Sequence, residues 1–412
     1  MKDIVYCKTP AEWLRVSENL EDPVHIPLNR IIINYEGSDG KGSIYQDLDQ
    51  LPIVARLNDI SQLGLADRCT KSIQACGTRY GHSIICASKI DRLAQIHDLD
   101  RELGVCAGMT HDVATPPRSD SSAVGLSLSD EGWFGYVIDQ CPELDALLDK
   151  YSVSRGELVD AVRGRGKNPI TQLINRPGSL DVDRCSYTAY DSQNLGMVPW
   201  GCIEAQPDPF SSIDLYNGEI VFLDPDSVAK CLDSRVNLFE RFYKNPCLRA
   251  KEAFAGEVAR ELMDKGIIDH KSIFRMVDVE YDKLVLKHGG ILGERLYRLD
   301  GFDSYGSVQA GEAELKGHLQ QITDRPFVIK RHKVFDPGVE TPVVVDGTVM
   351  PYREWNPVHA GQLKRRMGKW DRTFVYGYEN DKVLERAVDG ARREFGFDAA
   401  TRMEEMMECF DS

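Results

Sequence analysis

Residues 108–117, GMTHDVATPP, place an imidazole and a carboxylate side by side at His111-Asp112, behind the apolar helical run 103–107. A Thr115-Pro116-Pro117 break then stops the helix. Such groups are costly behind a buried helix unless something pairs with them. A divalent metal is a natural partner, because neutral His and ionised Asp both ligate and borderline transition ions accept mixed N and O donors. His82 and Asp183 are the other two candidates. Two imidazoles and two carboxylates from three helices would hold one Mn, Fe, Co, Ni or Zn ion and leave coordination positions open. Water at an open position becomes a hydroxide-like nucleophile near neutral pH, and the same ion polarises a phosphoryl oxygen. The residues alone leave a plainer alternative, since a single His on an apolar helix is often a satisfied core residue. A second His-Asp pair, His97-Asp98, sits among Asp100, Arg101 and Glu102 and reads as a solvated helix start.

The elements that must position these groups are mostly helical. Thr9-Pro10 predicts a helix over 11–20, and 25–35 reads as a strand. The loop 36–43 (EGSDGKGS) is glycine-rich, but its spacing is wrong for a phosphate-cradling Walker A loop, and a plain turn is expected. From 44 to 167 apolar residues recur at helical spacing: Leu51, Val54, Leu57 and Ile60, then Ile84, Ile85, Ile90, Leu93 and Ile96. The second stripe makes His82 an early residue of a buried helix. A Ser/Asp-rich loop is expected at 119–127, and a short basic loop at 163–167. A strand over 219–223, a helix capped at Asp226 and a long helix through Met263 follow. Beyond 265 the texture changes to short strand candidates at 325–334, 342–349 and 373–378, a helix near 359–367 and an acidic helix over 399–409.

The order Arg79-Tyr-Gly-His82, His111-Asp112, Asp183 resembles the H…HD…D signature of the HD-superfamily metal-dependent phosphohydrolases. Further blocks resemble one branch, the deoxynucleoside triphosphate triphosphohydrolases. Arg56-Leu-Asn-Asp-Ile-Ser-Gln62-Leu63-Gly64 is similar to that branch's helix ending in Gln-Leu-Gly, which implies that Gln62 and Leu63 touch the sugar. Leu180-Asp-Val-Asp183-Arg184-Cys-Ser-Tyr187-Thr-Ala-Tyr-Asp191 resembles the block in which the second Asp ligates metal and the basic residue meets phosphate. There the Tyr and the last Asp line the sugar and base pocket. Ser234-Arg235 through Tyr243-Lys244-Asn245 resembles a Ser-Arg…Tyr-x-His segment, which implies Arg235 on a phosphate and Tyr243 at the nucleoside. The blocks span roughly 45–250. They imply an HD-domain helical bundle over 45–264, after an N-terminal segment 1–44 and before a smaller α+β C-terminal lobe over 265–412, a mainly α fold. Arg79 joins Arg184 and Arg235 as a phosphate-facing cation, and Arg suits bidentate phosphate recognition.

The sequence also departs from the branch. Thr and Asp stand between Val113 and Asp120 where the branch has histidines acting as proton donors and phosphate contacts. Another family histidine falls at Asp130-Glu131, Tyr-x-His has become Tyr243-Lys244-Asn245, and Ser186 replaces an Asp. Asp120, Asp130 or Glu131 would substitute as general acids if burial raised their pKa values, and are otherwise ordinary loop acids.

A formal charge of −15 over 412 residues argues against broad nucleic-acid or anionic-membrane binding, so an anionic substrate needs a locally basic pocket. Eleven cysteines without a Cys-x-x-Cys pair fit reduced thiols in a cytosol, and neither a spanning apolar run nor a secretory leader is apparent. A cytoplasmic protein is expected. The expected activity is hydrolysis of a nucleotide (dNTP-like or a nucleoside monophosphate) or a related phosphate ester. The alternative is a catalytically degenerate HD protein that binds nucleotide as a regulatory or assembly module. Relatives of the branch are commonly oligomeric, so a homo-oligomer is an expectation of the resemblance alone.

Overall fold

The computed structural model describes residues 43–65, 77–126, 129–166, 168–195, 197, 208–298, 301–331 and 335–395. The expected helix over 11–20, the strand over 25–35, the loop 36–42 and the acidic helix over 399–409 lie outside them. The fold is mainly α, as expected.

Its first half is a bundle of α1 (Ile44–Asp49), α2 (Arg79–His97), α3 (Arg101–Thr110), α4 (Asp120–Leu126), α5 (Asp130–Ile138), α6 (Pro142–Lys150), α7 (Arg155–Val162), α8 (Pro169–Ile174) and α9 (Val182–Asn194). Local signals explain where these start. Thr78, Asp100, Ser129, Ser154, Asn168 and Asp181 each accept a hydrogen bond from a first-turn amide, satisfying donors that a helix leaves orphaned. α2 is buried nearly all round, with Ile84, Ile85, Cys86, Ala87, Ile90 and Leu93 inside. It is the central helix of the bundle, and α3 and α9 pack beside it.

The Ser/Asp-rich stretch expected as a loop is the helix α4 instead. Its small residues explain the difference. A Cβ on Gly125 would fall 1.8 Å from the Gly256 carbonyl oxygen, so the two backbones touch, and Ser121, Ser122 and Ala123 are buried in the same contact. Small polar residues here permit close helix packing rather than chain flexibility.

The hairpin β1 (Ile213–Tyr216) and β2 (Glu219–Phe222) leads to α10 (Pro225–Leu238), a π-helical turn Phe239–Tyr243, and α11 (Pro246–Asp264). The cap of α10 is Asp224, not Asp226, because Pro225 takes the first helical position and Asp224 accepts from both Asp226 N and Ser227 N. Beyond lie α12 (Asp278–His288), α13 (Gly290–Arg298), β3 (Phe302–Val308), α14 (Glu312–Ile322), β4 (Phe327–Arg331), β5 (Pro342–Val345), β6 (Thr348–Pro351), α15 (Pro357–Gly368), β7 (Thr373–Tyr378) and α16 (Lys382–Phe395). The strand expected over 342–349 is the hairpin β5–β6. Asp346 and Gly347 both have positive φ (48° and 75°), the backbone of the tight turn that Asp-Gly favours.

Two sheets form, in the orders β1-β2-β5-β6 and β3-β7-β4. β2 and β5 pair in parallel at Phe222 and Val343, joining the two halves of the chain. In β7 successive residues face opposite cores: Phe374 and Tyr376 join the main core, and Val375 joins a smaller one with Leu315, Leu319, Leu384 and Val388. The main core runs across the 264/265 division read from the sequence, since Phe254 packs against Phe302 and Tyr378.

Candidate metal centre and pocket

His82 sits in the first turn of α2, His111 at the C-cap of α3 and Asp183 in the first turn of α9. Gly108 lets α3 approach α2 closely enough for the imidazoles to meet, because a Cβ there would lie 2.5 Å from Ala87 Cα. Asp181, the first acid of Asp-Val-Asp, caps α9 through Arg184 N and accepts from Arg176 N. That leaves Asp183 free to face the histidines.

His82 Nε2 lies 2.8 Å from Asp183 Oδ1 and 3.3 Å from His111 Nε2. His111 Nε2 lies 3.6 Å from both Asp183 Oδ1 and Asp112 Oδ2. The His111 Nδ1–H points at Gly108 O, 2.9 Å away. That bond commits Nδ1 as the donor and leaves Nε2 as the ring nitrogen facing the cluster, the usual arrangement around a ligating histidine. Arg79 donates to both Asp112 oxygens at 3.2 and 3.3 Å and to Ser119 Oγ at 3.1 Å. Cys86, one turn after His82, brings its sulfur 3.6 Å from His82 Nε2. His82, Cys86, His111 and Asp183 offer ligand atoms all within 4.8 Å of one another.

The charges match the geometry. Burial works against a charged His111, but Asp112 and Asp183 outweigh it and lift the imidazole to about 9. Burial likewise opposes ionisation of Asp183, which His111 and His82 overcome, pulling the carboxyl far down. Asp112 is lowered too, by Arg79 before the histidines. Two carboxylates and two imidazole nitrogens, which would give up their protons to a bound ion, form a donor set suited to a cation. The cluster could therefore hold a metal ion.

Beside it opens a cavity of about 450 Å³, of the size that small-molecule sites take. Its walls include Gln62, Leu63, Arg79, His111, Asp112, Asp120, Glu131, Asp183, Arg184, Tyr187, Asp191 and Tyr243. His82 lies beneath, 1% exposed. Asp120 is solvent-facing (side chain 76% exposed) with Oδ2 4.0 Å from Arg79 Nη2, and Glu131 is also exposed. The side chain of Asp130 lies outside the described residues. Tyr243 donates to Asp191 Oδ2, and burial lifts the Asp191 carboxyl to about 6. Gln62 Oε1 and Asp191 Oδ1 are buried acceptors with no hydrogen-bond partner among the described residues.

Arg235 is not among the lining residues. It is buried behind Tyr187, donating through Nε to Tyr187 Oη (2.8 Å) and through Nη1 to Asp336 O (2.8 Å), with Phe335 stacked 4.0 Å away. It braces the wall from outside the cavity. Four titratable side chains at the site, Cys86, Lys244, Arg249 and Glu252, are not among the site residues read from the sequence. Cys86 was legible, since His82 and Cys86 share a helix face at i and i+4. Lys244, Arg249 and Glu252 line the cavity because of the π turn after α10 and the start of α11, and no sequence signal marks that turn.

No family model matches the sequence, and no curated protein matches it. Solved structures do. A hypothetical protein from Aquifex aeolicus superposes with a TM-score of 0.65 at 20% identity, covering 84% of this chain and 95% of that one. A phosphohydrolase from Bacteroides thetaiotaomicron VPI-5482 superposes with a TM-score of 0.66 at 15% identity, covering 87% of this chain and 100% of that one. At such identities the likeness is one of fold. The chain therefore has the fold of that phosphohydrolase.

Proposed function

We propose that the protein is an HD-type metal-dependent phosphohydrolase acting on a nucleotide or a closely related phosphate ester. The observation that carries the reading is the convergence of His82 Nε2, His111 Nε2 and Asp183 Oδ1 at the edge of a cavity lined by Arg79 and Arg184. A fold shared with a protein described as a phosphohydrolase supports it.

His82, His111, Asp112 and Asp183 would hold the ion, with Cys86 beside them. When bound, a divalent ion supplies Lewis acidity and an activated water. The Gly108 carbonyl holds His111 in the ligating tautomer, and Arg79 keeps Asp112 ionised. Arg79 and Arg184 face the space a phosphate would fill and offset the charge that develops on its oxygens. Asp120 and Glu131 stand on the wall but face solvent, so the burial that a general-acid role for them would require is absent. The unpartnered acceptors on Gln62 and Asp191 are suited to a sugar hydroxyl, and the Tyr243 ring offers that sugar a flat wall.

The test is metal-free protein reloaded separately with Mn, Fe, Co, Ni or Zn and supplied with nucleoside mono-, di- and triphosphates. Release of phosphate, pyrophosphate or triphosphate in at least one combination, abolished in His111→Ala, is expected. Nucleotide binding without turnover under every metal would overturn the hydrolase reading and leave a binding module.

A further inference from the structure

Asp278, the first residue of α12, is buried and does not line the cavity. Its carboxylate joins two segments that do. Oδ2 accepts from Ser61 N at 3.0 Å, beside Gln62 and Leu63, and Oδ1 accepts from Arg118 N at 2.6 Å, just before Asp120. The Arg118 guanidinium returns to the same helix, with Nη1 3.2 Å from Asp278 Oδ2 and Nε donating to Asp282 Oδ1 at 3.0 Å.

Arg118 and Ser119 have φ of 61° and 48°. Left-handed backbone is costly for residues with a Cβ and persists where the surroundings hold it. What this turn delivers is the Ser119 hydroxyl, which donates to Ser61 O at 2.6 Å and accepts from Arg79 Nε at 3.1 Å. The Arg79 backbone is tied to the same place. Its N–H donates to Ile60 O at 3.0 Å, and Gln62 N donates to Gly77 O at 2.9 Å. Asp278 thus stands behind both attachments of Arg79, the backbone pairing through Ser61 and the hydroxyl at its guanidinium through Arg118.

We propose that Asp278 is a positioning residue for Arg79: by holding Ser61 and the strained Arg118–Ser119 turn, it aims the Arg79 guanidinium at Asp112 and at the phosphate of the substrate. The phosphate half of this rests on the hydrolase reading above. Arg79 uses Nε on Ser119 and Nη1 on Asp112, and two such bonds fix the plane of a guanidinium. A carboxylate accepts from several donors at once, whereas an asparagine has one acceptor oxygen and would turn its own N–H toward a backbone N–H. Asp278→Asn therefore keeps the size of the side chain and loses one of its two backbone attachments.

A double-mutant cycle on full-length protein at saturating metal tests this, with Asp278→Asn, Arg79→Met and the two combined. The readouts are kcat/KM for the nucleotide best turned over and the dissociation constant of inorganic pyrophosphate by calorimetry. Asp278→Asn is expected to lower kcat/KM and weaken pyrophosphate by roughly tenfold to a hundredfold, the scale on which a small misplacement acts. In the Arg79→Met background the same change is expected to cost no more than about twofold. Should Asp278→Asn fail to fold, Ser119→Ala takes its place in the cycle and is expected to give the same pattern. Asp269→Ala, which removes the cap of the surface helix His270–Ile273, should lower the melting temperature without this coupling. Equal losses with and without Arg79 mark a merely structural carboxylate and overturn the inference while leaving the hydrolase reading intact. Arg79→Met with unchanged turnover and pyrophosphate affinity overturns it too. If no nucleotide is turned over, the pyrophosphate cycle decides: coupling there upholds Asp278 and ends the hydrolase reading, and additive losses or absent binding end both.

Discussion

His111 shows how much one side chain is asked to do. Its Nδ1–H is committed to Gly108 O, its Nε2 meets His82, Asp183 and Asp112, and the two acids raise its pKa to about 9. Replacing it by alanine removes a ligand and leaves Asp112 with less compensation, so metal affinity is expected to fall by at least about tenfold to a hundredfold, measurable by calorimetry. Lys244 gives a prediction of another kind. Burial is the main cause that lowers its pKa, to about 8, with Arg249 adding to it. A lysine depressed in the folded state binds fewer protons than the unfolded chain between about 8 and its ordinary value near 10.4, so stability rises with pH across that window. The melting temperature of Lys244→Met should therefore exceed that of the native protein most clearly below pH 8, with the gap closing as pH rises. A flat difference in melting temperature from pH 6 to 10 would contradict the burial of a charged Lys244. At this scale the sequence was informative where residue type is itself chemical. His82, His111, Asp112 and Asp183 lie close together in the fold; their types suggested ligands, but only the family resemblance linked Asp183 to the histidines. Lys244, Arg249 and Glu252 are common surface residues by type, and only tertiary packing turns them toward a cavity.

Helix ends and helix contacts set the geometry among these side chains. α3 can lie against α2 because Gly108 has no Cβ, and a methyl group there would meet Ala87 Cα at 2.5 Å. The contact is backbone, so a side chain cannot swing aside. Gly108→Ala is expected to cost about 1–3 kcal/mol by overpacking. It should also weaken metal binding by separating His82 from His111, seen as a loss in calorimetric affinity larger than the loss in melting temperature would imply. Asp181 is the second case. It caps α9, which carries Asp183, and its loss should cost about 0.5–2 kcal/mol, as for other caps, in a chemical-denaturation experiment. Strong apolar periodicity made the long helices legible, α2 and α3 above all. Elements that depend on partners were not. The four-residue strands β1 and β6 are too short for a periodic signal, α4 looked like a loop because its small polar residues serve close packing, and a π turn leaves no mark in residue order.

Across the whole molecule, the two halves share one hydrophobic core. The β1–β2 hairpin is completed by β5 and β6, and Phe254 on α11 is sandwiched with Phe302 and Tyr378 from the later sheet. A chain cut after residue 264 would expose this surface and leave β2 without its neighbour. Such a fragment should lack a cooperative unfolding transition and be cleaved rapidly by protease, whereas a fragment as protease-resistant as the full chain would contradict a shared core. The change of texture near 265 was visible in the sequence, but texture reports local structure and not which surfaces are covered. Among the described residues no helix is long and apolar enough to cross a membrane, and the described cysteines are free.

The central claim is that His82, His111, Asp112 and Asp183 share one divalent cation. Crystals grown with Mn, with diffraction recorded at a wavelength where that metal scatters anomalously, test it directly. One strong anomalous peak per chain, within about 2.0–2.3 Å of His82 Nε2, His111 Nε2, Asp183 Oδ1 and a carboxylate oxygen of Asp112, is the expected result. No peak at saturating metal, or a peak bound elsewhere with His82 and Asp183 still joined only to each other, would contradict it.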